Sequence, residues 1–217
     1  MNHLVVQLTR ATLFVTAALF PIVNPLGSAL IFLSLTRGYP HVVRRNLVNR
    51  ITMNSFLLLV ISILIGTHVL DFFGISVPVV QVAGGLVVFT MGWTLLQNKE
   101  REPRPQAIGV EEAEAQAFYP LTLPLTVGPG SISVAITLGA NTQRHAYGWP
   151  VMLASAVLGP LLVAFSVYVC YRSAERVERW LGNVGMSVFL RLSSFIVICI
   201  GAQIVWNGVS ALVQKLP

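Results

Sequence analysis

The chain has 217 residues, a formal charge of +6, 55% hydrophobic residues and only 10% charged ones, with a mean hydropathy of +0.75. A water-soluble domain carries roughly a quarter of its residues as charges, so this composition excludes an ordinary soluble fold and places the chain in lipid. The basic residues sit in short segments between apolar runs rather than interleaved with aromatics, which argues against nucleic acid as a partner.

A spanning helix needs about 20 mostly apolar residues, and six windows qualify: 11–35, 51–70, 75–96, 118–140, 149–171 and 187–213. The expectation is an all-α integral membrane protein with both termini on the same side. The first window has Arg10 as a basic flank and Ala17-Ala18 as small residues, but it is too long for a signal peptide and continues into Asn24-Pro25 instead of a cleavage site. Cys170 and Cys199 lie inside apolar runs with no C-x-x-C spacing, so neither a disulfide scaffold nor a metal site is supported. The polar stretch from Asn98 to Ala117, with Glu111, Glu112 and Glu114, reads as a solvated linker. It divides the chain into a first repeat at 1–97, the linker at 98–117 and a second repeat at 118–217.

Orientation follows from the excess of Lys and Arg in cytoplasmic loops. The loops after spans one, three and five hold eleven: Arg37, Arg44, Arg45, Arg50, Lys99, Arg101, Arg104, Arg172, Arg176, Arg179 and Arg191. The opposite side holds three, Arg10, Arg144 and Lys215. Both termini are therefore expected in the periplasm and the linker in the cytoplasm. Trp149 and Trp206 then fall near outer span ends, and Trp93, Tyr171 and Trp180 near the inner boundary, as interfacial anchors.

The two halves echo one another. Span one contains Phe20-Pro21-Ile22-Val23-Asn24-Pro25-Leu26-Gly27-Ser28, and span four contains Leu123-Pro124-Leu125-Thr126-Val127-Gly128-Pro129-Gly130-Ser131. Repeats of three spans enter the bilayer from opposite sides, so this is an inverted repeat of the kind found in secondary transporters. Asn24-Pro25 and Gly128-Pro129 both fall near the centre of their windows. Proline in a helix interior removes a hydrogen bond, whereas Asn or Gly followed by Pro is an N-cap followed by the favoured first helical residue. Spans one and four are thus expected to break near the midplane, each second half starting there with free N–H groups and a positive dipole end.

Two such ends brought together would form a pocket for a polar or anionic solute. The candidate binding residues are Asn24, Pro25, Gly27, Ser28, Thr126, Gly128, Pro129, Gly130 and Ser131. The competing reading is a pair of ordinary proline kinks. Gln81 on span three and Gln203 and Asn207 on span six, together with Arg191 at the start of span six, are candidate pathway-lining residues, although intramembrane amides also serve as helix–helix bonds. Gly84, Gly85 and Gly92 read as sites of close helix contact. No Asp or Glu lies within a span, and His68, near Asp71, has no second ligand spaced to join it in a metal site. No cofactor is expected. No His-Glu-x-x-His or Gly-x-Ser-x-Gly motif occurs, which argues against an enzyme.

Taken together, the Phe20 to Gly27 segment, Phe73-Gly74-Ile75-Ser76-Val77-Pro78 leading into Gln81-Val82-Ala83-Gly84-Gly85, and Pro120-Leu121-Thr122-Leu123-Pro124 through Gly128-Pro129-Gly130 resemble the MarC family of bacterial inner-membrane proteins. The resemblance covers nearly the whole chain. It implies six spans and membership of the LysE-like group of exporters, whose members move amino acids or other small solutes. The expected function is export of a small polar or anionic solute, with the lipid bilayer and that solute as partners. A passive channel and a non-transporting scaffold or regulatory protein are the alternatives.

Overall fold

In hydrocarbon every backbone N–H and C=O must find a partner within the protein, which leaves the helix as the natural form for these apolar runs. The computed structural model describes residues 2–36, 38–97, 116–142 and 148–214. All regular structure among them is helical: α1 (Asn2–Val23), α2 (Pro25–Leu35), α3 (His41–Phe72), α4 (Val77–Gln97), α5 (Ala117–Thr126), α6 (Pro129–Thr142), α7 (Trp149–Gly182) and α8 (Ser187–Val213). Lys99, Arg101, Arg104, Glu111, Glu112 and Glu114 of the linker, with Arg37, Arg144 and Lys215, lie outside the described residues.

Five helical stretches are each long and apolar enough to cross a membrane: Leu4–Leu33, His41–Phe72, Val77–Gln97, Trp149–Gly182 and Ser187–Val213. Counted as one broken span, the pair α5 and α6, bent by 67° at their junction, makes a sixth. The six expected windows are all present, and the differences are at the ends. Span two begins at His41 rather than 51, and span five runs to Gly182 rather than 171. Arg44, Arg45 and Arg50, and Arg172, Arg176 and Arg179, are therefore on helices and not in loops. Hydropathy marks where a span leaves hydrocarbon, but arginine is a good helix former, so the helix continues past that point. Span five stops where Gly182 adopts φ 63 and ψ 178, a backbone region essentially reserved for glycine.

Residues from α1, α2, α3, α5, α6 and α7 share the buried core, around Leu19, Phe32, Ile51, Leu59, Val127 and Val163. Helices α4 and α8 pack against each other on the periphery, with 22% of each span's apolar window buried compared with 39–44% for Leu4–Leu33, His41–Phe72 and Trp149–Gly182. Their contact is a seam of small residues. A Cβ on Gly85 would lie 2.7 Å from Val205 N and 2.9 Å from Gly201 O, and one on Gly92 would lie 3.0 Å from Ser194 O. Lipid tails are as apolar as leucine, so close backbone approach is what holds such helices together. Gly84 packs on Ser133 of α6 instead, where the Ser133 hydroxyl donates to Val80 O at 2.9 Å. The expected close-packing role of Gly84, Gly85 and Gly92 is what these contacts describe.

Trp149, Trp180 and Trp206 are exposed, as anchors require. Tyr171 is not an anchor: it is 3% exposed and belongs to the core. Because α7 continues beyond residue 171, this tyrosine sits inside the bundle and not at its boundary.

Candidate functional site

The first interruption lies at Asn24, whose backbone is left-handed (φ 46, ψ 62) between α1 and α2. Pro25 follows as the first residue of α2 and has no N–H to bond backwards. The Asn24 side chain folds over the new helix start, its Oδ1 accepting from Gly27 N at 3.2 Å, which is the N-cap expected from the Asn-Pro pair. A Cβ on Gly27 would lie 2.9 Å from Asn24 Cγ, so the cap needs glycine there. The Ser28 hydroxyl donates to Asn24 O at 2.9 Å.

The second interruption is longer. Over Tyr119-Pro120-Leu121-Thr122-Leu123-Pro124-Leu125-Thr126, two Pro-Leu-Thr units wind α5 into a wide, five-residue turn, with Tyr119 and Leu123 extended. Tyr119-Pro120 and Leu123-Pro124 are cis peptide bonds. Prolines cannot close the usual four-residue ladder, and the threonines supply bonds in its place. Thr122 Oγ1 donates to Ala117 O at 2.6 Å, Thr126 Oγ1 to Leu121 O at 2.7 Å, and Val127 N to Thr122 O at 2.9 Å. Val127 is extended, and α6 begins at Pro129 with Ile132 N donating to Gly128 O at 3.1 Å. Gly128 thus caps α6 as its position before proline predicts.

The two interruptions meet. Asn24, Gly27 and Ser28 face Thr126, Gly128, Gly130 and Ser131 across a cavity of about 60 Å³. Pro25 and Pro129 sit at the first helical positions behind that wall. Ser193 and Ser194 of α8 add two more hydroxyl-bearing residues, and the rest of the lining is apolar, with Val88 and Met91 of α4 among it. A cavity of this size holds a few waters or a small polar group, well below the several hundred Å³ of a drug-sized ligand site. No ionisable side chain lines it. The available recognition groups are hydroxyls and the first-turn amides of α6, which belong to Gly130 and Ser131 and have no intrahelical acceptor. At α2 one such amide is already taken by the Asn24 cap, so the positive helix end there is partly self-satisfied.

The four candidate pathway residues do not line this cavity. Gln81 Nε2 donates to Thr137 Oγ1 at 3.4 Å, joining α4 to α6. Arg191 is exposed at the start of α8. Gln203 Nε2 donates to Asn207 Oδ1 at 2.9 Å, and both are exposed on α8. Among the described residues no group of three or more His, Cys, Asp or Glu is placed to hold a metal.

Tyr171 is the residue that sequence reasoning missed. Its hydroxyl lies 2.6 Å from Thr126 Oγ1 while its ring packs on Phe32 of α2, so it ties the two interrupted spans together from behind the cavity. Thr126 already donates to Leu121 O, which makes Tyr171 the donor in their bond. Its ring stacks on Phe32, centroids 4.8 Å apart. The signal that could have found it is the helical spacing of Arg172, Arg176 and Arg179, which carries α7 past the apolar run.

Apolar helices long enough to cross a bilayer, packed around an uncharged internal cavity, define a multi-pass integral membrane protein. The family model for "MarC family integral membrane protein" matches residues 10–213, and the chain belongs to the MarC family. It is 30% identical over 206 residues to the inner membrane protein MarC of Salmonella typhimurium, covering 90% of this chain and 92% of the relative. It is 31% identical to that of Citrobacter koseri over the same span, and 28% identical over 205 residues to that of Escherichia coli O1:K1. The chain is accordingly a multi-pass protein of the inner membrane. No solved structure matches it.

Proposed function

We propose that the chain is a transporter, not an enzyme, which exports a small polar or anionic solute bound where the two interrupted spans meet. The observation that carries this reading is the cavity itself: two helix starts, one in each half of the chain, converge on an uncharged, mainly apolar chamber into which the hydroxyl-bearing residues Ser28, Thr126, Ser131, Ser193 and Ser194 are placed. Irregular backbone at membrane depth is tolerated where it is buried in protein or lines a cavity, and in transporters such half-helix ends hold the substrate.

An inverted relation between the halves is supported by how the spans pair. Span two meets span four at Gly66 and Ile136, span one meets span five at Val15 and Gly159, and span three meets span six along the glycine seam. Exchanging spans one, two and three with four, five and six converts the first pairing into the second and leaves the third unchanged. With the eleven-to-three charge asymmetry, the rule that cytoplasmic loops hold the excess puts the arginine-rich ends of α3 and α7 in the cytoplasm and both termini in the periplasm. A chamber of about 60 Å³, backed by the stacked Tyr171 and Phe32, favours a carrier with an occluded state over an open pore.

The test is flux from proteoliposomes screened against amino acids, organic acids and inorganic ions. Asn24→Leu removes the cap and fills the cavity wall, and it is expected to abolish transport of whichever solute the parent protein moves, with the folded protein still recovered. Undiminished flux in that variant removes the midplane cavity as the binding site.

A further inference from the structure

A second concavity, of about 560 Å³, opens at the end of the bundle where α3 begins and α7 ends. It lies apart from the midplane cavity, and Tyr171, which lines it, bonds Thr126 of that cavity's wall. His41, Arg44 and Arg45 line it from α3, and Arg172, Arg176 and Arg179 from α7. Arg172, Arg176 and Arg179 fall on one face of α7 at spacings of four, three and seven, and His41 stands three and four residues before Arg44 and Arg45 on α3. Arg44, only 13% exposed, is the anchor. Its guanidinium pairs with the Glu175 carboxylate across the gap and donates to Thr36 O at 2.9 Å. Arg172 is held over the Tyr168 ring, 5.8 Å from its centroid.

Glu175 is the one carboxylate in this lining, against five guanidinium groups, and it is taken up by Arg44. Like charges four apart on a helix, such as Arg172 and Arg176, repel, so the folded arrangement concentrates positive charge at a net cost unless an anion joins it. The preference of one membrane side for arginine explains how many are at this end. It does not explain their convergence from helices more than a hundred residues apart in sequence onto one hollow with a half-buried, tethered arginine in its lining.

We propose that this vestibule is a binding site for a phosphate group, carried either by a solute or by the headgroup of an anionic lipid. Guanidinium forks match phosphate oxygens bidentately, and the hollow is large enough for the group that bears the phosphate. The site does not depend on transport: a phosphate is bound here whether or not the midplane cavity carries solute.

The experiment is calorimetric titration of the full chain, in phosphatidylcholine nanodiscs at low ionic strength, with inorganic phosphate. Saturable binding is expected. Arg45→Gln with Arg176→Gln, both at exposed positions, should weaken it roughly ten- to a hundredfold by removing charge-assisted hydrogen bonds. The paired lysine variant, which keeps the charge but loses the fork, should fall between the two. Asn24→Leu should bind phosphate as the parent does, so failure of the transport reading and failure of this one are separable.

Nanodiscs containing phosphatidylglycerol identify the source. Loss of phosphate binding there, with the lipid retained by the parent through purification but not by the glutamine pair, assigns the site to a lipid headgroup. Undiminished phosphate binding assigns it to a solute. The proposal is overturned if phosphate does not bind saturably in phosphatidylcholine and phosphatidylglycerol is not retained in an arginine-dependent way. It is also overturned if the folded glutamine pair binds with the parent's affinity.

Discussion

At the scale of single residues, the site depends on side chains that complete broken backbone. Gly27 leaves room for the Asn24 amide to fold back onto its amide N–H, and a methyl group there would displace the cap. Gly27→Ala is expected to lower stability by about 0.5–2 kcal/mol, the usual worth of an N-cap, read as a lower Tm in detergent. Tyr171 acts differently, because its hydroxyl bonds Thr126 and its ring stacks on Phe32 from outside the cavity. Hydrogen bonds between membrane helices contribute about 0.6 kcal/mol on average, with a maximum near 1.7. Tyr171→Phe should therefore shift an occluded state toward opening by roughly 3- to 18-fold, seen as faster solute leak from proteoliposomes with little change in Tm. Leak equal to that of the parent protein would show that Tyr171 only packs.

At the scale of elements, α4 and α8 are held by approach and not by apolar burial. The backbone of α8 lies within 3 Å of where a Gly85 side chain would begin, and overpacking a tight contact destabilises by about 1–3 kcal/mol. Gly85→Leu should lower Tm accordingly, whereas Leu86→Ala on the exposed face of the same turn should stay within about 0.5 kcal/mol of the parent. Equal effects from the two would mean that the seam does not hold the pair. The interrupted elements follow another rule. In α5 the prolines remove the four-residue ladder, and the threonines bond carbonyls five residues back, so an irregular segment remains satisfied inside the membrane.

At the scale of the molecule, the arginine-bearing ends of α3 and α7 extend past the apolar windows and converge on one side. If that side is cytoplasmic, an alkaline phosphatase fused after the last residue should be active in the periplasm, and a fluorescent protein fused there through the general secretory route should be dark. The reverse pattern would invert the bundle and place the vestibule outside. The exposed pair Gln203 and Asn207 bond each other on the outer face of α8, which removes each amide's need for a partner from another helix.

The class of protein, its six spans and the two interruptions are local properties. Hydropathy adds along a run of residues, and proline lacks an N–H wherever it stands, so Asn24-Pro25 and Gly128-Pro129 announce their breaks before any tertiary contact is known. That these breaks face one cavity, that Tyr171 and two serines of α8 join them, and that Gln203 and Asn207 point away all depend on the rotation of each helix about its axis. Apolar residues surround these membrane helices on every side, so no amphipathic stripe records that rotation, and only packing sets it. The extension of α3 and α7 into their charged ends was obscured for a related reason: hydropathy reports where hydrocarbon stops, whereas the backbone hydrogen-bond ladder decides where a helix does.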